Sequence, residues 1–468
     1  MVEMASVENK KTAVSKWGKK IISWLRFFLN SYVFYIFQVL LAAGIVLMEK
    51  VVEGALLFGM MICAILVICE DIVPTTLPFL LISTFTTNCY DSFDTFIGYI
   101  SFAPLVLACF AFHFVVYHKK YSAGESIWGI FAISIAIIFG GIGNFTATEY
   151  LHGSYYFIGL SVGMAAAYFL MRSQFAVRRT YDLKERFAVI MLLMSALCAL
   201  MIIIGYNRKV LGLTRFTPYP TGFSPNNIST MLMFAMPFPL YLARRKGRDW
   251  VAVLTAIVFG FLCIADSRGG LVFGVVEYIV CCVFWCANGR GKNKKLIRAL
   301  ICVGITTSVL LAFLVCGPLR DMINKNLLGG VVSTGETRYD MIFEAFDRFR
   351  KNPFAGSGIL DGSISYGDFK KKGAMAWYHM MLPQIIGSMG IVGILAYGFQ
   401  CLGRIKLIFQ KRTVWSLCLG ISYLGVLLMS QVNPGEFCPL PFELLTVLLF
   451  IFQEFRFENK PLWEKSVG

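Results

Sequence analysis

Residues 333–358 read STGETRYDMIFEAFDRFRKNPFAGSG, and residues 377–395 read WYHMMLPQIIGSMGIVGIL, with a glycine- and lysine-rich run between them. The first stretch is charged and polar; the second slides from an aromatic, polar start into an apolar run. No other part of the chain stays polar for so long. Around it the sequence is a succession of apolar runs, each close to the ~20 residues a helix needs to cross a ~30 Å hydrocarbon core. The expected fold is therefore all-α: a polytopic transmembrane helix bundle with one long extracytoplasmic loop that contains an amphipathic helix. A membrane β-barrel needs alternating segments of ~10 residues, and none is present. Spans are built to hold little chemistry, so the polar insertion is the first place to look for it.

Composition agrees. Only 15% of the 468 residues are charged and mean hydropathy is +0.69, whereas a soluble domain is about a quarter charged. The formal charge of +16 carries no nucleic-acid motif with it, and cytoplasmic loops account for most of it. Most of the fourteen cysteines sit in apolar runs without metal-ligand spacing. They read as small packing residues, and neither a metal nor another cofactor is expected. The basic N-terminal stretch lacks the short apolar core and cleavage site of a signal peptide.

Spans are predicted near 31–48, 54–69, 72–88, 99–117, 126–143, 154–171, 187–205, 227–243, 249–265, 270–287, 297–316, 379–400, 414–431 and 438–454. Glu70-Asp71, Pro74 and Pro78 interrupt the second and third. The organisation is a basic cytoplasmic segment (1–30), a bundle (31–316), an extracytoplasmic loop (317–378), and C-terminal helices with a tail (379–468). Basic clusters orient it by the positive-inside rule. Lys119-Lys120, Arg172 to Arg186, Arg244 to Arg248, Arg290 to Arg298 and Arg404 to Arg412 all fall on one side. Both termini are then cytoplasmic, in the inner or plasma membrane. Loop 206–226 breaks the bias, with Arg208, Lys209 and Arg215 outside and no acid among them. An anionic substrate would give outside cations a use; a merely solvated loop is the other reading.

Ser333 to Glu336 fits a capping box, which puts Arg338 in the first turn of a helix. There the exposed N–H groups and a guanidinium would together favour a phosphate. Tyr339, Ile342, Phe343, Phe346 and Phe349 recur at helical spacing, with Arg338, Arg348 and Lys351 opposite. The same pattern suits a helix on the membrane surface with a solvated Arg338. Asn352-Pro353 ends the helix and Gly356 and Gly358 turn the chain. His379 enters a glycine-rich span, either as a general base facing a cavity or as an interfacial histidine beside Trp377 and Tyr378. Asp266-Ser267-Arg268-Gly269-Gly270 is a short turn between spans, where Asp266 and Arg268 form an ion-pair clip or Arg268 serves a ligand. Glu277 lies mid-span, as a functional group or a structural partner.

In order, these residues resemble the O-antigen ligase and O-antigen polymerase superfamily. Its C-terminal signature is similar to Arg338, Phe343 and Phe346, then Pro353-Phe354-Ala355-Gly356-Ser357-Gly358, then His379 with Gln384 and Gly390. Ser267-Arg268-Gly269-Gly270 and Phe223-Ser224-Pro225-Asn226-Asn227 are similar to upstream elements. The motifs cover residues 220 to 400; the first 200 match in hydropathy alone. About twelve spans are usual in that family, fewer than read here. The resemblance implies a metal-independent glycosyltransferase in surface polysaccharide biosynthesis, at the outer face of the membrane. Its implied partners are an undecaprenyl-diphosphate-linked glycan donor, a saccharide acceptor and membrane lipid. Arg268 and Arg338 would hold the diphosphate and His379 would be the base. Arg215, with Arg208, Asn226 and Asn227, would contact substrate. A polymerase of the same superfamily fits the motifs equally. A lipid-linked oligosaccharide flippase would instead show inverted repeats and charges along the midplane.

Overall fold

A computed structural model describes residues 18–86, 102–117, 123–141, 158–173, 181–210, 224–289, 292–315, 331–358, 378, 380–410, 413–433, 435–437 and 439–454. The described residues are helical throughout, with no strand among them. Four helices are long and apolar enough to cross a membrane, or five if one bent pair is a single span. Several of the other expected spans are present as shorter apolar helices.

The chain divides into two compact units. In the smaller, α1 (Gly18–Leu29) and α2 (Tyr32–Leu47) meet at a bend of 67°, where Ser31 caps α2 through the Phe34 amide. α3 (Val51–Ile68) ends before Glu70-Asp71, and α4 (Thr76–Thr86) follows a short 3-10 turn. Pro78 is tolerated because it falls in the first turn of α4, where an amide has no helical partner. α3 is stopped without orphan carbonyls. His113 and Tyr117 on α5 (Ala103–Tyr117) take those of Leu66, Val67 and Ile68, and Arg26 adds a bond to Ile68. Helix ends in an apolar setting need such partners.

The larger unit holds α6 (Ser126–Gly141), α7 (Met164–Ser173, nearly all of it), α8 (Leu183–Val210), α9 (Pro225–Ala235), α10 (Phe238–Lys246), α11 (Val253–Cys263), α12 (Arg268–Ala287), α13 (Lys292–Val315), α14 (Val331–Lys351), α15 (Met381–Gln410), α16 (Val414–Met429) and α17 (Leu444–Glu454). Pro237 divides the expected 227–243 span into α9 and α10. Carbonyls at the break are satisfied by Ser422 Oγ to Phe234 O at 2.8 Å and Thr255 Oγ1 to Met236 O at 3.1 Å. Buried Trp415 packs edge-on against Phe187, Tyr241 and Phe452 and at a tilt against Phe238, which ties α8, α10, α16 and α17 at one end. Such rings contribute both area and geometry to a core.

Three cations expected in cytoplasmic loops are instead buried. Arg186 lies over the Tyr181 ring, and Arg298 pairs with Asp249 at 2.8 Å. Arg404 joins Glu436 at 2.5 Å and Glu443 at 2.9 Å. The last arises because α15 runs ten residues past the expected end of its span and carries Arg404 with it.

Candidate functional site

The signature stretch builds a bracket. α14 ends at Lys351, as Asn352-Pro353 predicts. α15 is broken at Gly390, whose backbone leaves the helix at φ 58°, ψ −146°. The turn after α14 mends that break with four backbone hydrogen bonds. Ser357 N donates to Gly387 O at 3.0 Å and Gly358 N to Ser388 O at 3.1 Å. On the other side, Ile391 N donates to Pro353 O at 2.8 Å and Val392 N to Phe354 O at 3.1 Å. A Cβ on Gly356 would overlap the backbone of Ser388 and Met389, and one on Gly390 would overlap Pro353 O. Both glycines also hold positive φ, so they are required for conformation and for close approach. Arg348 secures the turn. It is buried, pairs with Glu344 at 2.8 Å and donates to Ser357 Oγ at 3.2 Å.

The face of α14 that meets the protein is not the aromatic stripe. Met341, Ala345 and Arg348 are buried, with Tyr378 and Met380 packed against the first two. Tyr339, Phe343 and Phe346 are exposed. The expected capping box also fails. α14 starts at Val331, so Ser333 and Glu336 lie inside it and residue 338 is about two turns in. A cap contributes only about 1 kcal/mol and yields when the chain continues as helix. The dipole argument for Arg338 goes with it.

A second feature brings separate segments together. The turn after α16, Ser430-Gln431-Val432-Asn433, touches three of them. Ser430 O accepts from Met381 N, at the start of α15, at 2.8 Å. Asn433 Nδ2 donates to Asn227 Oδ1 on α9 at 2.9 Å. Val432 packs on Gly269 in the first turn of α12. Ser267 links the last two: its Oγ caps α12 by accepting from Gly270 N at 3.0 Å and donates to Asn226 Oδ1 at 2.7 Å. The starts of α9, α12 and α15 thus share one end of the bundle, where the helix dipoles favour an anion.

Asn226, Asn227 and Arg268 are accordingly brought together, with Arg268 as the first residue of α12. His379 and Arg215 lie outside the described residues, although Tyr378 and Met380 flank His379. For Arg208 on α8 and Arg338 on α14 the structure describes the helical backbone alone. Gln384 Oε1 accepts from Tyr378 N at 3.1 Å and so holds the residue before His379. Asn433 was missed as a site residue, and Gln384 was named only as part of the signature. A polar Asn-Pro-Gly turn closing an apolar span was the available signal for the first.

Deeper in the unit, Arg404, Glu436 and Glu443 form a fully buried network. Gln400 donates to Glu443 at 2.9 Å and Tyr423 to Glu436 at 3.5 Å. Glu277 is also fully buried and has no hydrogen-bond partner among the described residues; its carboxylate lies against Gly425 of α16. No cluster of three or more metal-ligating side chains occurs among the described residues. Protein-family models, curated proteins and solved structures contain no match to this chain.

Proposed function

We propose that the chain is a multi-pass membrane glycosyltransferase of the O-antigen ligase type, with about 12–14 spans and both termini cytoplasmic. It moves a glycan from undecaprenyl diphosphate to an acceptor hydroxyl at the outer face of the membrane. The observation that carries this reading is the 430–433 turn, which gathers the starts of α9, α12 and α15. Each of those starts bears a motif residue or adjoins one: Asn226 and Asn227, Arg268, and His379.

In the reaction, the acceptor oxygen attacks the anomeric carbon as the bond from that carbon to the diphosphate oxygen breaks. The hydroxyl proton passes to His379, and the electron pair of the broken bond leaves with the diphosphate. Arg268 and Arg338 stabilise the charge gained there, which is electrostatic catalysis by fixed donors. Residue 338 is seven positions before the buried Ala345, so it shares that helix stripe. Arg208 and Arg215 would add cations to the same face. Gln384 and Asn433 position the segments and do not react.

One observation favours a second reading. A flippase or transporter is expected to carry ionisable groups inside its spans, and Arg404 and Glu277 are buried on span-length helices, with Glu436 and Glu443 buried against Arg404. Arg404 is paired with both of those carboxylates, as in a structural network. Purified protein given undecaprenyl-diphosphate-linked glycan and a saccharide acceptor separates the two. A transferase releases undecaprenyl diphosphate and extends the acceptor, and His379→Ala stops both. A flippase moves the intact lipid across liposomes and releases nothing.

A further inference from the structure

α14 has three faces. Met341, Ala345 and Arg348 turn toward the protein and are buried. Asp340, Asp347 and Lys351 are exposed along a second edge, at helical spacing. The third face is aromatic and open: Tyr339 and Phe343 are each 66% exposed and Phe346 is 47% exposed. Phe354, in the bracket turn, extends it at 72% exposure.

Large rings in a row on one helix are not left to water without cost; exposing each forfeits ~2 kcal/mol of burial. Two features indicate what covers them. The first is continuity. Phe354 O accepts from Val392 N and Pro353 O from Ile391 N, so the aromatic row runs onto α15 beside the exposed Ile391, Ile394 and Leu395. α15 is one of the four helices long and apolar enough to span a membrane, and its exposed apolar side would then meet lipid. The second is the charge pattern. Asp340, Glu344 and Asp347 gather on one edge, next to the ring face and not within it. Arg350, 80% exposed, adjoins the aromatic row and pairs with Asp347 at 3.5 Å, so its stem can lie along apolar surface while its charged head stays on the polar edge.

We infer that the Tyr339–Phe343–Phe346–Phe354 face of α14 is embedded in the boundary between lipid headgroups and acyl chains. The helix lies along the bilayer surface beside α15. Aromatic rings favour that depth, and a helix with one apolar and one charged edge lies in the plane of the interface. This rests on the chain being membrane-embedded and not on the transferase reading. It gives the bracket a second use, since α14 is held at headgroup depth by protein on one side and by lipid on the other.

The test places the photoreactive residue p-benzoylphenylalanine, one site at a time, at Phe343, at Asp347 and at Leu395. The full chain is reconstituted in nanodiscs of phosphatidylethanolamine and phosphatidylglycerol, and adducts are read by mass spectrometry. Leu395, on the exposed side of α15, is the positive control. The expected result is phospholipid adduct at 343 comparable with that at 395 and none at 347. Adduct at 395 alone would overturn the inference. So would a cross-linked pair of chains through 343, which would make the face a contact between copies of this protein.

Discussion

Gly356, in the bracket turn, and Gly398, inside α15, differ by what surrounds them. A methyl group on Gly356 meets backbone at positive φ, whereas one on Gly398 meets nothing. Gly356→Ala should destabilise the detergent-purified protein by about 1–3 kcal/mol, as a strained backbone position does. Gly398→Ala should be neutral or raise stability by up to ~1 kcal/mol, because alanine favours helix; thermal unfolding reads both. Arg404 tests the buried network. Arg404→Met leaves Glu436 and Glu443 without their cation and should cost about 3–5 kcal/mol. Adding Glu436→Gln and Glu443→Gln should restore most of that loss. The burial of Arg404 was not legible in the residue string, since a basic residue near a predicted span end reads as a loop cation. Only the extra length of α15 and the fold-back of residues 435–443 bring it inside.

Elements show where local reading stops. The Asn352-Pro353 stop and the two turning glycines were legible, because proline and positive-φ glycine act locally. Their purpose was not, since it depends on residues some thirty positions later, at 387–392. The aromatic periodicity of α14 was legible too, but periodicity cannot say which face meets protein. The buried side is set by Ala345 and Gly387, which allow close approach. If the bracket holds the break in α15, Arg348→Ala should loosen it. Hydrogen exchange at the Ile391 and Val392 amides should then speed up by at least ~10-fold, while amides of α16 stay protected. Equal exchange in variant and wild type would assign Arg348 to α14 alone.

At the scale of the molecule, hydropathy made the helical class plain, and four helices among the described residues are long and apolar enough to cross a membrane. A window of apolar residues does not register a proline break, so the division of 227–243 into α9 and α10 was not visible in it. The orientation makes a direct prediction. A membrane-impermeant lysine reagent applied to intact cells should label the lysines at 370–372 and leave Lys294 and Lys295 unlabelled. The candidate site was half legible. Asn226, Asn227 and Arg268 were found from motif, and the 430–433 turn that gathers them was not, because its partners are far away in sequence. The central claim is that this end of the bundle transfers a glycan. The most direct test is release of undecaprenyl diphosphate by wild type and Arg268→Ala in nanodiscs at saturating donor. Loss of one fixed donor to the leaving group predicts a fall of about 10²–10³-fold with unchanged thermal stability. Undiminished release by Arg268→Ala would contradict the account.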